Sequence, residues 1–174
     1  MKKLNTPNIN FFSYVRGDDE EIMAAIFGRK NIRHENATMN GYELCIQTAK
    51  NIIDKVLPTC DLLQSPREIL TQKRGPNFEL YTIRPNPNKY IRGVVWYVSN
   101  EEYEHLRKYE LVDCGMSEDI VTKAVTDEGK TLKVSTYGLD KNTNNITKVV
   151  NEDYKRPEIP KKQKMKTAIK LRES

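Results

Sequence analysis

The sequence lacks any long apolar run. No stretch approaches the roughly 18 apolar residues that a membrane-spanning helix needs, so a helical membrane protein is excluded. The segment 1–10 has two lysines but no apolar stretch, so no secretory signal is expected there. Cysteine is scarce, and Cys45, Cys60 and Cys114 are odd in number and far apart. Such usage suits a reduced, cytoplasmic setting, and no spacing suggests zinc. His34 and His105 stand alone, so no metal site is expected. No internal repeat is visible.

What is abundant is charge. The 174 residues carry 29 Lys+Arg and 24 Asp+Glu, a net of +5. That excess invites a nucleic-acid reading until its position is considered. From Tyr154 onward there are eight basic residues against Glu158 and Glu173, a net of +6. The first 153 residues hold 21 basic and 22 acidic side chains, a net of −1. The chain therefore divides into a nearly neutral domain, 1–148, and a basic C-terminal tail, 149–174. A basic tail can bind phosphates, membrane surfaces or an acidic partner, or it can be a solvated helix or a disordered end. No aromatic residue interleaves the lysines after Tyr154, which argues against nucleic acid as a partner. No membrane partner is expected either.

Strands and helices are interleaved along the first 140 residues. Ile9–Val15 reads as a buried strand. Asp18-Asp19-Glu20-Glu21 offers a cap and first-turn acids to a helix that ends before Gly28. Ala37–Cys45 reads as a strand broken at Asn40-Gly41, and Gln47–Leu57 has helical spacing. Ser65-Pro66-Arg67-Glu68 opens a further helix. Phe78–Ile83 alternates as a strand, Pro85–Asn88 reads as a loop, and Tyr90–Val98 reads as a central strand buried on both faces. Ser99-Asn100-Glu101-Glu102 is a capping box for a helix running to Tyr109. Ile120–Thr126 and Thr131–Leu139 form a hairpin. The pattern predicts an α+β fold or a small barrel with flanking helices.

One residue breaks the pattern. Tyr103 and Leu106 mark the inward face of the helix after Ser99, and Glu110 continues that stripe. Burial and the negative end of the helix dipole both disfavour its charge. A carboxyl of raised pKa suits proton transfer near neutral pH. A frayed helix end would leave Glu110 solvated instead. The joint between the first strand and first helix, Tyr14 to Asp19, presents backbone N–H groups that suit a carboxylate or phosphate, or it is an ordinary connection.

Several segments together resemble the γ-glutamylcyclotransferase family in its wider, AIG2-like sense, which includes γ-glutamylamine cyclotransferases. Ile91-Arg92-Gly93-Val94-Val95-Trp96-Tyr97-Val98, followed by Glu101-Glu102-Tyr103, Leu106 and Tyr109-Glu110, is similar to the family's strand and short helix ending in an acid/base Glu. Ala37-Thr38-Met39-Asn40-Gly41-Tyr42-Glu43-Leu44 is similar to its "A-x-L-x-G-Y-x-L" strand. Tyr81-Thr82-Ile83-Arg84-Pro85 resembles its "Y-P-x-I-x-P" segment, and Tyr137 falls where a strand Tyr is common. The match covers about residues 9–139. It departs at the substrate loop, where the family has Tyr-Gly, a hydroxyl residue, then Asn or Leu. Counting back from Ile26-Phe27-Gly28-Arg29, which resembles the family's "L-L-G-R", Tyr14 aligns with that Tyr and is followed by Val15, Arg16 and Gly17. A register two residues later puts Arg16-Gly17 over Tyr-Gly, and the loop is altered in either. Leu111 stands where the family has Gly after the Glu, and residues 45–77 form a longer insertion.

The resemblance implies a small mixed, mostly antiparallel β-barrel with flanking helices. It also implies an enzyme, an amide-cyclising lyase or acyltransferase that needs no cofactor and no metal. In such enzymes the α-amine of a γ-glutamyl group attacks its own side-chain carbonyl, 5-oxoproline forms and an amine leaves. Glu110 is the implied acid/base. Tyr14, Val15, Arg16, Gly17, Asp18 and Tyr137 are the implied substrate-binding residues. The implied partner is a small γ-glutamyl compound or a γ-glutamyl isopeptide. The altered loop motivates the alternative, a binding or interaction module with a repurposed pocket on the same fold.

Overall fold

A computed structural model describes residues 7–14 and 19–173. In chain order the elements are β1 (Ile9–Tyr14), α1 (Glu20–Phe27), β2 (His34–Gln47), α2 (Pro66–Arg74), β3 (Leu80–Val98), α3 (Asn100–Tyr109), β4 (Glu118–Thr126), β5 (Thr131–Gly138), β6 (Lys148–Val149) and α4 (Lys161–Glu173). Five strands pair in the order β3-β1-β5-β4-β2, and β2 returns to β3, so the sheet closes into a barrel. β1 and β5 run parallel and the other pairs antiparallel, with the short β6 added at the end of β2. This is an α+β fold with a mixed, mostly antiparallel barrel and flanking helices. No helix among the described residues is long and apolar enough to cross a membrane.

Strand periodicity explains the two cores. Phe12, Ile83, Ile91, Val95, Ile120 and Val134 point into the barrel. Their neighbours Phe11, Val94, Trp96 and Val98 point outward and meet Met23, Ile26 and Phe27 of α1 and Leu106 of α3. A strand covered on both faces reads as an unbroken apolar run, which is why Val94–Val98 lacks alternation. Gly93 sits in this run opposite Tyr14. A Cβ there would lie 2.4 Å from the Ser13 carbonyl oxygen and 2.6 Å from the Phe12 ring, so only glycine lets β1 and β3 approach.

Four expectations are corrected. Gln47–Leu57 is not a helix: only a 3₁₀ turn forms, at Ala49–Asn51. The Asn51 side chain accepts the Thr48 N–H at 2.9 Å, and Asn145 clamps Asn51 through both its main chain and its side chain. These local bonds divert the backbone from a helical ladder, and Ile52 turns inward to Leu70 and Phe78. Pro85–Asn88 is not a separate loop, because β3 runs through it. The register jumps from Tyr42↔Pro85 to Asn40↔Tyr90, so Pro87 falls within a bulge and Pro85 at its edge, where their missing N–H groups cost little.

The cysteines are not all free. Cys60 and Cys114 form a disulfide, and Cys45 is a buried thiol. Sequence distance hid that contact, and the cysteine argument for a reduced compartment no longer holds. Nor is the basic end a solvated or disordered one. α4 packs on α1 and α3, with Ala168 in the outer core and Met165 against it. Lys161 pairs with Asp19 and Glu21, and the Arg172 guanidinium donates to the Ala25 carbonyl at 3.2 Å.

Candidate active site

The position of Glu110 follows from how α3 begins and ends. The Ser99 hydroxyl accepts the Glu102 N–H at 3.2 Å, and the Ser99 N–H donates to the Glu102 carboxylate at 2.9 Å. The same carboxylate, almost fully buried, receives both prongs of Arg29 at 2.6 and 3.0 Å. One glutamate thus caps α3 and ties it to the turn after α1. Tyr103 and Leu106 pack inward, with the Tyr103 ring centroid 5.7 Å from that of Phe11. Glu110, four residues after Leu106, caps the other end and donates its N–H to the Leu106 carbonyl at 2.9 Å. Leu111 then takes the left-handed conformation, φ 56°, which a glycine would adopt without cost. The backbone turns away and the Glu110 side chain is left lining a groove.

That groove has a volume of about 1580 Å³. Tyr14, Tyr137, Glu110, Arg74, Arg156 and Lys164 all line it. The parallel pairing of β1 and β5 brings the two tyrosines together. Phe11 lies opposite Ser135, so Tyr14 and Tyr137 both project at the same end of the barrel. The Tyr14 hydroxyl donates to the Tyr137 carbonyl at 2.9 Å, and the two rings lie 5.9 Å apart. The Tyr137 ring also stacks on Phe11 at 6.0 Å.

Burial pushes the Glu110 carboxyl above its ordinary range, against the opposing pull of Arg156 and Arg74. Tyr14 and Tyr137 are pushed up as well, by burial first and then by the Glu110 charge. These phenols stay protonated and act as donors. The arrangement is one carboxyl able to hold or give up a proton, two phenols, and a wall of cations. Among the described residues, no three His, Cys, Asp or Glu side chains converge as metal ligands.

Glu110, Tyr14 and Tyr137, expected from the sequence, therefore meet in one groove. Val15, Arg16, Gly17 and Asp18 lie outside the described residues. At the start of α1, Asp19 is the N-cap and accepts from the N–H groups of Glu21 and Ile22 at 3.1 and 3.2 Å. Those two amides are therefore already used by the cap. The cations were not expected. Arg74 lies in the insertion, and Arg156 and Lys164 lie in the segment read as a tail. Met165 and Ala168, three residues apart among lysines, were the available sign that this segment packs.

No protein-family model matches the chain, and no curated protein matches it. Solved structures do. A γ-glutamyl cyclotransferase structure superposes with a TM-score of 0.51 at 17% identity, over 95% of this chain and 80% of the other. The chain has the γ-glutamylcyclotransferase fold. An uncharacterized protein from Homo sapiens shares it at a TM-score of 0.50 and 18% identity, over 93% of this chain and 78% of the other. So does a protein from Arabidopsis thaliana, at 0.50 and 17% identity, over 93% and 76%. Identities this low speak to the γ-glutamylcyclotransferase fold alone.

Proposed function

We propose that the protein cyclises a γ-glutamyl amide or amine to 5-oxoproline, with Glu110 as the general acid/base. The observation that carries this reading is Glu110 itself: a carboxyl of raised pKa, facing a groove shared with Tyr14 and Tyr137. Glu110 takes a proton from the substrate's α-ammonium. The freed amine attacks the γ-carbonyl carbon, and a C–N bond closes the five-membered ring. The original amide C–N bond breaks as Glu110 returns that proton to the departing nitrogen. The second proton shed by the attacking nitrogen passes through Glu110 to the released amine, which leaves as an ammonium. Because nucleophile and electrophile belong to one molecule, holding the chain folded back removes much of the barrier. One carboxyl of suitable pKa then supplies the proton transfers, worth roughly 10²–10⁴ in rate.

The substrate is a small γ-glutamyl compound or a γ-glutamyl-lysine type of isopeptide, and the groove has room for either. The test is a panel of γ-glutamyl amino acids, amines and isopeptides incubated with the full chain, with 5-oxoproline measured by chromatography. Release from at least one compound is expected. The sequence after Tyr14, with Val15 and Arg16, favours a second reading, a binding module. A ligand retained in the groove with no 5-oxoproline from any compound would establish that reading and overturn the first.

A further inference from the structure

Arg74, Arg156 and Lys164 line the groove beside Glu110, and the charge of each acts on its carboxyl. Arg74 comes from the last turn of α2, in the insertion between β2 and β3. Arg156 comes from the segment before α4, where its guanidinium lies 4.5 Å over the Tyr81 ring and donates to the Glu79 carbonyl at 3.4 Å. Lys164 comes from α4 and is only 8% exposed. Arg156 and Lys164 share one carboxylate, Glu158. Arg74 has no ion-pair or hydrogen-bond partner of its own among the described residues and feels Glu158 and Glu110 only at a distance. Three cations thus converge on one groove around two carboxyls: Glu158, already paired with two of them, and Glu110, whose burial favours its neutral form.

Collecting part-buried cations of like sign is unfavourable, and an ordinary surface would disperse them. Burial and Arg156 make the charged form of Arg74 harder to hold, while burial and the two arginines do the same to Lys164. An anion entering the groove would relieve this. A planar guanidinium, unlike an ammonium, can grip a carboxylate with two parallel hydrogen bonds.

We propose that Arg74, Arg156 and Lys164 form a carboxylate-binding subsite that seats an acid group of the substrate while Glu110 faces the reacting amide. The proposal rests on the cyclotransferase reading for the identity of the substrate. It assigns the insertion and the basic C-terminal segment a role in substrate selection. Two carboxylates have the required chemistry: the α-carboxylate of the γ-glutamyl group, and an acid carried by the leaving amine.

The test compares γ-glutamyl-methylamide, which has only the α-carboxylate, with γ-glutamyl-glycine, which adds a second one. Binding to the full chain is measured by calorimetry in a Glu110→Gln background, and KM and kcat are measured with Glu110 present. Arg74→Gln and Arg156→Gln should each weaken binding about tenfold or more, the loss of about one charge-assisted hydrogen bond. The loss should fall on KM more than on kcat, and Arg74→Lys should restore part of it. Weakening of both compounds assigns the subsite to the α-carboxylate, and weakening of γ-glutamyl-glycine alone assigns it to the leaving amine. Unchanged binding in folded Arg74→Gln and Arg156→Gln overturns the proposal, as does failure of both compounds to bind. Arg74-dependent binding without 5-oxoproline release would support the subsite and reject the cyclotransferase reading.

Discussion

Removing the Cys60–Cys114 disulfide should lower the unfolding temperature by a margin that follows from its place in the chain. The bond joins residues 54 apart. Closing a loop of that length removes about 14 cal/mol/K of chain entropy from the unfolded state, about 4 kcal/mol at 25 °C. In a chain of this size each kcal/mol moves the midpoint by about 2–4 °C, so the shift should be about 8–16 °C. The bond also ties the loop around Thr59 to the turn that follows Glu110, where the Thr59 hydroxyl donates to the Asp113 carbonyl at 2.7 Å. Loosening it should raise KM as well. The assay is thermal unfolding followed by circular dichroism, for Cys60→Ala/Cys114→Ala and for the parent with and without reductant. Thiol titration of the unfolded chain should find one free cysteine before reduction and three after. A double variant melting within about 2 °C of the oxidised parent would refute the loop-closure reasoning, and three free thiols in the untreated protein would refute the bond.

Gly93→Ala should cost about 1–3 kcal/mol, because its Cβ meets main chain that can move only by shifting β1; unfolding midpoints check this, and an unchanged midpoint contradicts the packing of β1 on β3. Glu102→Ala removes the carboxylate half of the α3 capping box and the Arg29 pair, and should cost about 2–4 kcal/mol in urea unfolding. Glu102 is held below its ordinary range, chiefly by the Arg29 hydrogen bonds against the cost of burial. Its contribution is therefore full above the unfolded carboxylate pKa and disappears as pH falls through the folded value. Glu110 has the opposite sign. Its folded form keeps the proton longer, so parent stability falls as pH rises from the unfolded carboxylate value through the raised folded value. Glu110→Gln should abolish that fall and be at least as stable as the parent at pH 7, which urea unfolding between pH 4 and 8 would show.

The parts of the fold that were legible are those where local pattern and tertiary demand agree. The Ser99 capping box, the Gly28 stop and the β4–β5 hairpin each follow from short-range chemistry. The run Val94–Val98 needed burial on both faces, and the barrel supplies it. Glu110 was visible because it interrupts an apolar stripe, and Tyr137 was implied only by resemblance. The rest depended on partners far along the chain. Asn145 decides that Ile52 does not continue a helix. A bulge across from Gly41 absorbs the prolines of β3. The charge arithmetic placed the excess of basic residues after Tyr154. It could not show that the end folds back and places Arg156 and Lys164 beside the one carboxyl of interest.

The central claim is that Glu110 moves the proton during ring closure. The direct measurement is 5-oxoproline release by the parent and by Glu110→Gln, on whichever γ-glutamyl compound the panel identifies. Ligand binding and the unfolding midpoint are followed in parallel. The account predicts a loss of 10²-fold or more in kcat with binding and folding retained. Turnover unchanged in folded Glu110→Gln would contradict it.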